Sequence, residues 1–203
     1  MNDASIFAVA LPDERATSRL AARLADRARQ GDVIALKGPL GSGKTSFARA
    51  FIEARCGGPQ EVPSPTFTLV QVYEAAGPAI WHFDLFRLAA SEEAWELGLE
   101  DAFAEGISLI EWPERLGPLL PAERLEVALA FAAAPEARIA SIAPSPAWSG
   151  RVALSHARGP RRAAPMPATG RRRPCARRAP RRRRRRGRGA RAAAGRPCAP
   201  AIR

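Results

Sequence analysis

Apolar positions along the first two-thirds of the chain recur with two different periods, and the period separates helices from strands. In residues 14–30, Ala16, Leu20, Leu24 and Ala28 return every fourth position beside a row of Arg15, Arg19, Arg23 and Arg27. That spacing predicts an amphipathic helix with its arginines on the solvated face and Gly31 as its stop. Short aliphatic and β-branched runs predict strands at 5–10, 33–37, 67–73, 79–85, 107–110 and 125–131. The third and fourth runs flank Ala75, Ala76, Gly77 and Pro78, a turn sequence that predicts a hairpin. Residues 44–56 read as a helix closed by Gly57 and Gly58. Ser91, followed by Glu92 and Glu93, reads as the N-cap of another helix that stops near Gly98. Between these elements, residues 59–66 carry Pro63 and Pro65 and are expected to form an exposed loop. There is no internal repeat.

Charge divides the 203 residues unevenly. All 20 acidic residues lie between Asp3 and Glu136, so residues 1–138, with 13 basic residues, carry −7, whereas residues 139–203 carry +19. The net charge of +12 therefore describes neither part, and the segment with a foldable pattern is acidic. A folded domain over 1–138, an end of domain or linker over 139–150, and a basic Arg, Ala, Pro and Gly tail over 151–203 are expected, the tail disordered for want of apolar periodicity. The N-terminus has no basic and apolar secretory signal, and no uncharged stretch approaches the roughly 20 residues that span a bilayer. Cys56, Cys175 and Cys198 have no paired spacing, so neither a disulfide framework nor a zinc site is indicated, and a reducing cytoplasm fits.

Residues 38–45, Gly38, Pro39, Leu40, Gly41, Ser42, Gly43, Lys44 and Thr45, form a complete Walker A loop between a predicted strand and a predicted helix that Ser46 continues. Glycines let successive backbone N–H groups converge on phosphate at a helix N-terminus, Lys44 is placed to reach the β- and γ-phosphates, and Thr45 to ligate magnesium. Such a site also needs an acid at the end of an apolar strand. Glu111, closing ISLI, and Asp84, within WHFDL, both qualify. His82 alone reads as a satisfied structural histidine. No NKxD-like guanine-selecting motif is present, which favours adenine or weak base selection.

Four ordered blocks carry a family resemblance: GPLGSGKT at 38–45, SPTFTLV at 64–70, HFDLFRL at 82–88 and LIEWPERL at 109–116. Over about residues 5–131 the chain resembles the TsaE (YjeE) ATPases of bacterial tRNA threonylcarbamoyladenosine synthesis, with Phe67 and Phe86 where many relatives have tyrosine. The resemblance implies a compact single-domain α/β P-loop NTPase with a central, mostly parallel sheet. It implies ATP hydrolysis with Mg2+ in support of a complex of the TsaD transferase and TsaB, with tRNA reached only through that complex. It also implies that Thr45 and Glu111 bind magnesium directly or through water, that Asp84 positions the metal or the attacking water, and that the 64–67 loop, with Thr66 beside the nucleotide, behaves as a switch. Trp112 fits the family tryptophan at the nucleotide site or an ordinary strand-end aromatic of the core.

Two other functions compete. A small-molecule P-loop kinase would share the phosphate loop but needs an acceptor pocket and an arginine-bearing lid, for which only Arg115, Arg124 and Arg138 are available. A nucleic-acid or ribosome-associated protein would act through the arginine run at 181–186. The tail itself reads either as an RNA-binding arm or as the frame-shifted translation of a GC-rich gene.

Overall fold

Strand β2 (Val33–Lys37) and helix α2 (Lys44–Cys56) take the bounds that their flanking glycines predict, because Gly43 at φ 100° and Gly57 at φ 78° occupy the left-handed region where only glycine is unstrained. The computed structural model describes residues 6–59, 61–152 and 200–201. Among these, β1 (Phe7–Leu11), β2, β3 (Val70–Tyr73), β4 (Ile80–Asp84), β5 (Ile107–Glu111), β6 (Leu125–Phe131), β7 (Arg138–Pro144) and β8 (Pro200–Ala201) make one sheet in the order β1-β7-β6-β2-β5-β4-β3-β8. The α/β class with a central sheet follows the sequence. Its ladders are parallel where β6, β2, β5 and β4 adjoin and antiparallel on both flanks, so the parallel character belongs to the four inner strands.

Helix α1 (Glu14–Ala25) starts at Asp13, whose Oδ1 accepts the Ala16 N–H at 2.7 Å, and buries Leu20, Ala21 and Leu24. It ends earlier than the apolar spacing predicts. Arg27 and Ala28 donate to carbonyls only three residues back, and the Asp32 carboxylate takes the Arg29 N–H at 2.6 Å, turning the chain into β2. Helices α1 and α2 pack together, and Phe47, Phe51 and Ile52 of α2 are fully buried. Each such side chain contributes roughly 1.5–3 kcal/mol relative to leaving it in water.

A second apolar cluster joins Val33, Phe83 and Ile110 of the sheet to Leu88, Ala94, Leu99, Ala102 and Leu116. It is covered by two short helices where the sequence predicts one: a 3₁₀ helix, Ser91–Leu97, and α3 (Leu99–Glu105). Gly98, expected as a stop, is the bend between them at φ 80°, and Ala90 rather than Ser91 precedes the first turn, without a side-chain cap. A Cβ at Gly98 would lie 3.0 Å from the Trp81 ring, so the bend also depends on the missing side chain.

The loop before β3 differs from its expected exposure. Val62 is buried, Ser64 and Thr66 turn inward, and β3 begins only at Val70, because Leu69 sits at φ 64° with its N–H on the Pro65 carbonyl at 2.6 Å. At the other end the sheet extends past residue 138: β7 pairs with both β6 and β1 through the stretch that the sequence leaves open. Helix α4 (Pro146–Ser149) then buries Trp148, and Arg151 forks onto Asp32 at 2.5 and 2.7 Å while Val152 is buried. Two residues expected in the tail, Arg151 and Val152, thus pack on the sheet domain, and residues 200–201 from its far end pair with β3 as β8. Its remainder, 153–199 and 202–203, lies outside the described residues.

A candidate phosphate and cation cleft at the ends of β2, β4 and β5

Alternation along the parallel strands collects the acids. His82 and Asp84 are two apart on β4 and share a face, and Asp84 is in register with Glu111 of β5, which is in register with Leu36 of β2. The loop after β2 leads into α2, so the C-terminal ends of three adjacent parallel strands bound one cleft, the usual ligand position in such sheets. Its volume is about 270 Å³, and it is lined by Leu40, Gly41, Gly43, Lys44, Thr45 and Ser46 from the loop and α2, by Ser64, Thr66, Asp84 and Phe86, and by Glu111 and Trp112.

Three of these groups are buried ionisable side chains, Lys44 and Asp84 at 4% exposed and Glu111 at 2%, and His82, beside Glu111, is fully buried. Lys44 Nζ donates to the Gly38 and Pro39 carbonyls at 2.8 and 3.0 Å and lies 3.9 Å from the centroid of the Trp112 ring. Burial pulls the Lys44 ammonium below its usual range, and nearby Glu111, Asp84 and Glu114 offset only part of that effect. Glu111 bridges two elements: Oε2 accepts from Thr45 Oγ1 at 3.0 Å, and Oε1 meets His82 Nε2 at 2.9 Å. His82 Nδ1 is buried without a hydrogen-bond partner. The tautomer with its proton on Nε2 leaves only a lone pair unmet there and donates to Glu111. Asp84 Oδ2 accepts from Ser64 Oγ and Thr66 Oγ1, both at 2.7 Å, and Oδ1 from the Phe86 N–H at 3.2 Å.

These donors suit a hard cation. Neither carboxylate is ion-paired with a lysine or arginine among the described residues, and their hydrogen-bond donors are hydroxyls, an imidazole and a backbone amide. Two buried carboxyl groups face the cleft with Lys44, and Thr45 adds a hydroxyl oxygen to its lining. Among the described residues no three His, Cys, Asp or Glu side chains cluster as a self-contained metal cage. A Mg2+ ion held here would complete its octahedron with water and phosphate oxygens.

The structure brings together the residues picked from the sequence, with two qualifications. Gly38, Pro39 and Ser42 do not line the cleft; the first two hold Lys44 through their carbonyls, and Ser42 is fully buried. A Cβ on Gly38, at φ 135°, would lie 2.3 Å from the Leu129 carbonyl oxygen, so the loop starts pressed against β6. Trp112 meets both descriptions: it lines the cleft beside Lys44, with its ring centroid 5.0 Å from that of Phe86, and it also packs against the apolar cluster that contains Leu116. Its backbone sits at φ 59° before Pro113, a left-handed conformation that costs a non-glycine residue about 1–3 kcal/mol. Sequence reasoning missed the contact of His82 with Glu111, although its two-residue spacing from Asp84 places both on one strand face. It also did not pair Ser64 with Asp84, and it found no obvious lid pattern in Arg115, Arg124 and Arg138. Arg124 is held by Glu126 and the Pro121 carbonyl, and Arg138 by carbonyls of the phosphate loop and the β6–β7 turn.

The sequence profile of the family described as "Threonylcarbamoyl adenosine biosynthesis protein TsaE" matches residues 11–139. The chain is 43% identical over 119 residues to the tRNA threonylcarbamoyladenosine biosynthesis protein TsaE of Rickettsia conorii, covering 59% of this chain and 68% of that one. It is 37% identical over 119 residues to the protein of the same name from Bacillus subtilis, covering 58% of this chain and 72% of the relative. Among solved structures, that of Bacillus subtilis YdiB superposes with a TM-score of 0.61 at 28% identity, covering 72% of this chain and 91% of YdiB.

Proposed function

The chain belongs to the threonylcarbamoyl adenosine biosynthesis protein TsaE family, and from that premise we propose that it hydrolyses ATP with Mg2+ in this cleft to support tRNA threonylcarbamoyladenosine formation through TsaB and TsaD. The observation that carries the reading is the 3.0 Å hydrogen bond between Thr45 and Glu111, which joins the hydroxyl after the Walker lysine to a buried acid on the neighbouring strand. Thr45 and Glu111 would hold the magnesium, directly or through water, with Asp84 beside them, and the chemistry such an ion would supply is neutralisation of phosphate charge.

The protein's own groups divide the remaining work. Backbone N–H groups of the loop and Ser46 at the start of α2 receive phosphate. Lys44 exchanges two carbonyl partners and a tryptophan face for phosphate oxygens, and the anion restores the charge that burial disfavours. His82 keeps the Glu111 carboxylate oriented from behind. Asp84 orients water, and because Ser64 and Thr66 occupy its Oδ2, the position of the 64–67 loop decides how many of its lone pairs are available. A partner that reshapes the loop would thereby change the rate.

The site of action in this reading is the cytoplasm, with tRNA reached through the complex; among the described residues no helix is long and apolar enough to cross a membrane. Phosphate release is the test. The protein alone should turn over slowly, and TsaB with TsaD should raise the rate about tenfold or more. If it binds neither partner in any nucleotide state, the partner assignment is wrong and a generic ATPase remains.

A further inference from the structure

The phosphate loop is gripped from outside the cleft by one residue that none of the motif blocks contains. Arg138, the first residue of β7, donates Nε to the Ser42 carbonyl at 3.2 Å and Nη2 to the Gly41 carbonyl at 3.3 Å. Its Nη1 donates to the Pro135 and Ala137 carbonyls of the β6–β7 turn at 2.7 and 2.8 Å, and Phe131 lies under the guanidinium at 4.8 Å. We propose that Arg138 is a positioning residue for phosphate recognition, holding the loop's peptides in the orientation that turns the Gly43 N–H toward the anion. This rests on the reading of the cleft as a nucleotide site.

The argument is one of peptide geometry. In a trans peptide the C=O and N–H point in opposite directions, so a cation held on the Ser42 carbonyl sends the Gly43 N–H the other way. Gly43 lines the cleft and Arg138 does not. The same rule fits the preceding peptide: Arg138 takes the Gly41 carbonyl, and the Ser42 N–H is spent inside the loop on the Pro39 carbonyl at 3.2 Å. A charged donor also polarises the peptides it touches and makes their N–H groups better anion donors. Only a planar fork serves both loop carbonyls and the turn at once, so lysine is a poor substitute.

ADP affinity without Mg2+, thermal midpoint, and KM and kcat for ATP should be measured on the full chain as wild type, Arg138→Ala, Arg138→Lys and Arg151→Ala. Arg151 bonds to Asp32 away from the cleft, so its removal controls for general loss of stability. Arg138→Ala should weaken ADP binding about tenfold, or roughly 1.4 kcal/mol, and raise KM with kcat within about twofold. Arg138→Lys should lose about threefold, and folded Arg151→Ala should bind as wild type. Wild-type affinity in either folded Arg138 variant, or an equal loss in Arg151→Ala, would overturn the proposal. If the wild type binds no ADP, the nucleotide reading falls and this inference with it.

Discussion

The two walls of the cleft are satisfied in opposite ways. On the loop wall, carbonyls of Gly38, Pro39, Gly41 and Ser42 are taken by Lys44 and Arg138, so cations meet backbone oxygens, and the peptide after Ser42 turns its Gly43 amide the other way. On the strand wall, Asp84 and Glu111 are buried carboxylates held by Ser64, Thr66, Thr45 and His82, so carboxyl oxygens meet hydroxyl and imidazole groups. In the proposed reading one wall receives phosphate and the other a cation. Mutations on the two should therefore separate binding from turnover, and that separation is what experiment can break.

The largest effect is expected on the loop wall. Lys44→Ala removes the loop's buried ammonium and should weaken ATP binding at least 100-fold, read by fluorescent-nucleotide titration; near-normal affinity would remove the phosphate assignment altogether. A smaller effect comes from pH. Because burial lowers the Lys44 pKa from its usual 10.5, native protein binds fewer protons than unfolded chain between the lowered value and 10.5. The ligand-free protein should then lose the cost of burying that charge, and gain stability, as pH rises through this window. Bound phosphate needs the ammonium, so the stabilisation by ADP should shrink over the same window, a few-fold in affinity at its start. ADP stabilisation that grows with alkaline pH would contradict the role given to Lys44.

The walls also differ in how far the sequence discloses them. The Walker loop is legible because its glycines punctuate it, and β2 and α2 take their predicted bounds for that reason. The acids are legible as strand-end carboxylates, and the alternation in HFD already implies that His82 shares their face; that Glu111 is its neighbour is set by the register of β4 against β5, which one strand cannot reveal. Strand β7 was hidden because RIASIAP offers two alanines and a terminal proline in place of a strong β-branched alternation. With it went the place of Arg138, whose hydrogen-bond partners are all carbonyls and so leave no mark in residue type. The end of α1 depends on a side-chain bond three residues along, from the Arg29 N–H to the Asp32 carboxylate, and the break at Gly98 on the Trp81 ring of a distant strand, and apolar periodicity registers neither.

The central claim, that the strand wall serves the metal and the attacking water rather than the grip on nucleotide, is tested most directly by measuring bound ATP and released phosphate on the same samples of wild type, Glu111→Ala and Asp84→Ala. Both variants should stay folded, bind ATP within about threefold of wild type, and lose magnesium-dependent turnover by about 100-fold, the scale on which preorganised electrostatic groups act. Unchanged turnover in both would show that these are the wrong acids, and the account of the cleft would fail.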